Sequence, residues 1–218
     1  MGKVQVGILD GFVGKVGTVV GSFWKGLPVM RAYKRSVANP DTNAQQLVRT
    51  RFGAIGALSS AFYAAIKLGF KAKARAKKMT EGDIFVQMNW DCVHADTPGA
   101  ATVDYTELVL AVGHLPECQF GNASFTDPLQ VEVPMSDTTE VIGADSHDIV
   151  HLFVYSPEAG AGVLDDGTFT RASETIKVLV PAYWNGHRVH IWGFAIGAGP
   201  DNMGVVSNSR YLGSGTIS

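Results

Sequence analysis

The sequence predicts an α+β fold in three parts: an N-terminal Gly-rich β ribbon over 1–38, a basic helical hairpin over 39–98 and an acidic antiparallel β-sandwich over 99–218. Three observations carry this reading. Glycines stand at 7, 11, 14, 17, 21 and 26 with β-branched and aromatic residues between them. An apolar period of one helical face starts after Pro40, and from Val103 the period changes to two.

Within the ribbon, Lys15 to Val20 suits a strand, and the glycines suit turns, bulges or close backbone approach. A ribbon this small cannot bury its apolar residues alone, so it must lie on the rest of the chain or on a neighbour. Phe12, Val16, Val19, Phe23 and Trp24 are the expected contact residues of this arm.

Thr42, with Gln45 three places on, reads as a capping box that starts a helix. Val48, Phe52, Ile55, Leu58, Phe62 and Ile66 then fall on one face, beside a small-residue stripe at Gly53, Ala57, Ala61 and Ala65. Small residues four apart let another backbone approach closely, and packing within the same domain is the expected use. The basic run Lys67 to Lys78 follows. Thr80 and Asp83 offer a second cap, and Ile84, Phe85, Met88 and Cys92 a second face, which closes a hairpin with the cations at its corner.

The expected strands of the last part are Val103–Val112, Leu129–Val133, Ile149–Tyr155, Thr175–Val180, His187–Ile196 and Val205–Leu212. Turns at Asp165-Asp166-Gly167 and Asn185-Gly186 separate two pairs of them. That spacing points to a sandwich of the Ig-like kind.

Charge divides the chain more sharply than composition does. Residues 1–78 hold fourteen of the 18 Lys and Arg and only two acids, a net of +12, while residues 79–218 hold four bases against eighteen acids, a net of −14. A near-neutral total of −2 therefore conceals a dipolar chain. Such polarity points to a polyanion at one end or to head-to-tail contact between copies. With 46% apolar residues in 218, the chain is too hydrophobic for disorder. The start Met1-Gly2-Lys3-Val4-Gln5-Val6-Gly7 has no apolar run behind its Lys, so no secretory signal is expected, and Phe52 to Ile66 is too short for a membrane span. Cys92 and Cys118 are expected as buried thiols in a reducing compartment.

No motif names a reaction. Gly11-Phe12-Val13-Gly14-Lys15 lacks the four-residue spacing of a phosphate loop and is followed by Val16 rather than Ser or Thr. Ser146-His147-Asp148 has the letters of a hydrolase triad, but adjacent side chains cannot form the relay. His147 and His151 would pair on a metal only from a helix, and their segment reads as a strand. His190 shares a strand face with Trp192, Phe194 and Ile196 and is expected as a hydrogen-bonded core or rim histidine. Asp165-Asp166-Gly167 needs no calcium to explain it. No cofactor and no metal are expected. The basic run carries the most weight, because macrodipole stabilisation accounts for two or three cations but not for +12. Lys67, Lys71, Lys73, Arg75, Lys77 and Lys78 are its expected contact residues.

Gly11 to Gly21, with Trp24-Lys25-Gly26 and Pro28-Val29, resembles a family of uncharacterised proteins, a domain of unknown function found mostly in Bacteroidetes and their phages. Asn39-Pro40-Asp41-Thr42-Asn43-Ala44-Gln45-Gln46, with Arg49, Arg51 and Phe52, fits the same family. It is also similar to an Asn-Pro-x-Thr-x-Ala-Gln segment of phage and prophage structural proteins. Val205 to Gly213 is similar to the family's closing strand. The resemblance implies an assembly role and no catalytic residues.

The leading expectation is a non-enzymatic structural protein of a phage or phage-like particle, resident in a virion or the bacterial cytoplasm. Its partners would be copies of itself or other virion proteins. A second expectation is a carbohydrate- or surface-binding sandwich, with Tyr183 and Trp184 before the Asn185-Gly186 turn available to stack on sugar rings. A third is nonspecific nucleic-acid binding through the basic run.

Overall fold

A computed structural model describes residues 2–3, 13–24, 26–36, 40–125, 129–136 and 138–218. The fold is α+β, and the chain divides into two compact units, residues 1–42 and 43–218.

In the first unit, β1 (Gly2–Lys3), β2 (Gly14–Val16), β3 (Val19–Trp24) and β4 (Leu27–Ala32) form one antiparallel sheet in the order β1-β4-β3-β2. Gly17 and Gly26 take φ of +57° and +78° at its two tight turns, backbone that a Cβ resists. The expected ribbon is therefore a sheet of four short strands.

In the second unit the helices come first: α1 (Asn43–Ala61), α2 (Tyr63–Gly69), α3 (Lys71–Lys77) and α4 (Glu81–Asn89). The continuous helix expected from Thr42 through Ile66 is broken at Phe62, where α1 and α2 bend by 80°. Just before the bend, the Ser60 hydroxyl donates to the Gly56 carbonyl at 3.2 Å, competing with the backbone ladder in a way that bends helices. The bend drives Phe62 into ring contact with Phe85, Phe153, Tyr155 and Trp192. After α3, Lys78 turns left-handed at φ 54°, and the expected cap starts α4: Asp83 N–H donates to Thr80 Oγ1 at 3.1 Å, and Thr80 N–H to Asp83 Oδ2 at 3.2 Å. Helix α4 then runs back against α1, α2 and α3. No single helix among the described residues is long and apolar enough to cross a membrane.

The strands of this unit are β5 (Val93–Thr97), β6 (Ala100–Val103), β7 (Gln119–Phe120), β8 (Gln130–Ser136), β9 (Ile149–Ser156), β10 (Ala161–Leu164), β11 (Thr175–Leu179), β12 (Arg188–Ile196) and β13 (Arg210–Thr216). They make a four-stranded sheet β10-β9-β12-β13, a three-stranded sheet β11-β8-β7 and the hairpin β5-β6. Two expected strands fail. Residues 104–112 lack strand pairing: Asn89 accepts from Val109 N–H at 2.7 Å, and Ser209 Oγ accepts from Leu110 N–H at 2.8 Å. Val205–Leu212 shifts to Arg210–Thr216, leaving only single bridges at Val206 and Ser207.

Strands β9 and β12 are buried almost from end to end because both faces of their sheet are covered. Val150, Leu152, Val154, Val189, Ile191 and Ala195 meet Val131, Val133, Ile176 and Val178 of the second sheet. On the other face, Phe153, Tyr155, Trp192 and Phe194 meet Ile55, Leu58, Phe62, Ile66, Phe70 and Phe85 of the helices. The helices and the two sheets are thus three layers with β9 and β12 in the middle.

Candidate interaction surfaces

Strand register sorts the N-terminal sheet into two faces, because paired residues share a side. Val16↔Val19↔Ala32, Gly14↔Gly21↔Met30 and Phe23↔Pro28 make one face, which carries no charge among the described residues. Lys15↔Val20↔Arg31, Ser22↔Val29 and Trp24↔Leu27 make the other, where the Lys15 ammonium lies 3.6 Å from the centre of the Tyr33 ring. Of the expected arm contacts, Val16, Val19 and Phe23 fall together on the uncharged face and Trp24 on the opposite one; Phe12 lies outside the described residues. Phe23 and Trp24 are 51% and 57% exposed, and Val16 and Leu27 are open as well. Only Val29 among the large apolar side chains described in this unit is buried.

The basic run splits by direction. Lys73 and Lys77, one turn apart, lie along α4, with Lys73 Nζ 3.3 Å from Met88 Sδ and Lys77 Nζ donating to Gln87 Oε1 at 3.0 Å. Lys67, Lys71 and Arg75 are exposed. Among the described residues no carboxylate pairs with Lys67, Lys71, Lys73, Arg75 or Lys77. Ala74 is the buried residue that fixes α3 to the core. Five cations without counter-charges on two adjoining helices leave a local positive field that an acidic surface or a polyanion would neutralise.

The sugar-stacking pair is corrected. Trp184 is fully buried in the core between the two sheets, so only Tyr183 is left exposed. The short 3-10 turn Ala182–Trp184 rotates one ring inward and its neighbour outward, and a two-ring platform cannot form.

Several polar residues that drew attention in the sequence are consumed by structure. His147 Nδ1 lies 2.8 Å from Asp145 Oδ1 and 3.2 Å from Ser146 Oγ, so both neighbours crowd one nitrogen and no relay through the ring exists. Hydrogen bonds from the His147 backbone and ring hold the Asp145 carboxyl below its ordinary pKa. Asp165 accepts from Leu152 N–H at 2.9 Å and Gly167 N–H at 2.8 Å and faces His151 Nδ1 at 3.0 Å, which accounts for the acidic turn. Cys92 and Cys118 are buried free thiols, and burial pushes both pKa values up.

Nothing in the sequence patterning pointed to the buried pair Asp148 and Arg171. Arg171 Nε donates to Asp148 Oδ2 at 3.1 Å, Nη1 to Thr138 Oγ1 at 2.9 Å and Nη2 to the Pro116 carbonyl at 2.8 Å. Asp148 also accepts from Asp145 N–H at 3.0 Å and Asn202 Nδ2 at 2.8 Å. The pair thereby ties four loops into one hydrogen-bonded network.

A family model matches residues 11–213. The chain belongs to a family of unknown function, DUF6266. No curated protein and no solved structure matches it. The matched region runs from before β2 into β13 and so includes residues of both units.

Proposed function

We propose that this protein is a non-enzymatic structural component of a multi-subunit assembly, for which a phage or phage-like particle is the setting its sequence resemblance implies. It joins neighbouring subunits through the N-terminal sheet and the basic helices. One observation carries this reading: a four-stranded sheet, one face of which is uncharged among the described residues, leaves Val16 and Phe23 open there and Trp24 and Leu27 open on the other. These side chains are about half exposed, so covering each is worth roughly half of the about 1.5–3 kcal/mol that full burial gives. A neighbour's surface, or a strand added at the β2 edge, supplies that cover. The unpaired cations of α2 and α3 add an electrostatic contact to an acidic surface.

Nonspecific nucleic-acid binding is a second reading, favoured by the same unpaired cations. Sugar binding loses its stacking pair with the burial of Trp184.

The test is sedimentation velocity on the full chain. Wild type is expected to form oligomers, and Val16→Ser with Phe23→Ser is expected to weaken them roughly ten-fold or more, with an unchanged fold by circular dichroism. A variant that assembles like wild type would overturn the role given to the sheet.

A further inference from the structure

A groove of about 540 Å³ opens between α3, the 112–114 segment and the 203–206 turn of the second unit. Ala72, Val112, Met203, Val205 and Val206 give it an apolar lining, to which Lys73 and His114 also contribute. Gly113 brings the two segments together: a Cβ there would stand 1.8 Å from the Val206 carbonyl oxygen. Met203 is 81% exposed, so the groove is open along one wall.

Beside it stands a turn of opposite character. Val141 N–H donates to Thr138 O at 3.3 Å and Ala144 N–H to Val141 O at 2.9 Å, which lifts Val141 and Ile142 off the surface. Ile142 is 97% exposed, the highest value of any large apolar side chain described. Glu140 and Asp145 flank it. The turn is braced at both ends by the buried ion pair, since Thr138 accepts from Arg171 and Asp145 N–H donates to Asp148. An apolar tip held by a rigid base loses little entropy when it docks.

We infer that this tip seats in the groove of a second copy, Ile142 against Ala72, Val112 and Val206, with Glu140 meeting the partner's Lys73. Charge complementarity selects the occupant: the exposed Glu140 adjoins the apolar tip, and Lys73 lines the groove beside its apolar residues. Tip and groove also adjoin on one chain, because Asn202 Nδ2 contacts the Gly143 carbonyl at 3.4 Å and Met203 follows Asn202. A surface that offers both halves side by side is self-complementary, and two copies close on it about a two-fold axis, each giving a tip and receiving one. The contact rests on the assembly reading only in requiring that the chain associate with itself, and it uses none of the N-terminal sheet.

Sedimentation of the full chain across a concentration series tests it, on wild type, Ile142→Asp, Lys73→Glu, and Lys73→Glu combined with Glu140→Lys. Ile142 is open to solvent, so Ile142→Asp keeps its fold. Both single variants are expected to weaken association roughly ten-fold or more, and the charge swap to recover most of it. Association of Ile142→Asp equal to wild type, a wild type that stays monomeric throughout, or a charge swap no better than Lys73→Glu alone would each overturn the contact. The Val16→Ser, Phe23→Ser chain separates the two proposals: it keeps the tip-in-groove dimer if that contact stands, whatever becomes of assembly through the sheet.

Discussion

His190 sits on β12 facing the helical layer, its ring stacked on Tyr105 with centroids 4.2 Å apart and its Nδ1 hydrogen-bonded with Tyr211 Oη at 2.9 Å. Desolvation, aided by the Arg188 charge, lowers its pKa to about 4. Burial also raises the pKa of Tyr105 and takes that of Tyr155 to about 12. The sign follows directly. An unfolded histidine takes up its proton near pH ~6.5, whereas the folded one waits until about 4. Stability is therefore undiminished above ~6.5 and falls as pH drops through that window, by at most about 1.4 kcal/mol per pH unit. Urea unfolding at pH 7 and pH 5 is expected to show this loss in wild type and a smaller one in His190→Gln. The alternation of β12 sufficed to place His190 in the core or at its rim. It did not foretell Tyr105, which arrives from an irregular segment eighty-five positions earlier.

At the scale of elements, periodicity located α4, its cap at Thr80, and the strands β8, β9, β11 and β12 to within a few residues. It failed where side chains rather than strand partners hold the backbone. Residues 104–112 have the composition of a strand, yet they cross over Gly69, where a Cβ would stand 2.2 Å from the Leu110 carbonyl oxygen. Helix propensity favours Gly→Ala by up to about 1 kcal/mol, and a backbone clash costs more. Gly69→Ala is expected to lose about 1–3 kcal/mol in urea midpoints. Gly53→Ala in α1, with nothing within 4 Å of its Cβ, is expected to gain about 0.5–1 kcal/mol. The small-residue stripe thus divides: Ala65 is buried in the core, while Gly53 and Ala57 are exposed.

For the molecule as a whole, the charge division from +12 to −14 governs how contacts respond to salt. Raising ionic strength from about 0.05 M to about 0.5 M is expected to weaken self-association several-fold, and Lys71→Glu with Arg75→Glu to flatten that dependence, both read by sedimentation. Tight binding of random duplex DNA with a steep salt slope would instead favour the nucleic-acid reading. The sequence by itself determined the α+β class, the Gly-rich sheet, the cap of α4 and the positive field of the helices, because each follows from local spacing or from charge, which needs no partner in space. Only the tertiary structure decided that Trp184 turns inward, that Asp148 and Arg171 meet across twenty-three positions, and that an exposed apolar turn lies beside an apolar groove. Those juxtapositions depend on how layers stack and loops converge, and nothing local in the chain encodes which distant residues will share a burial site.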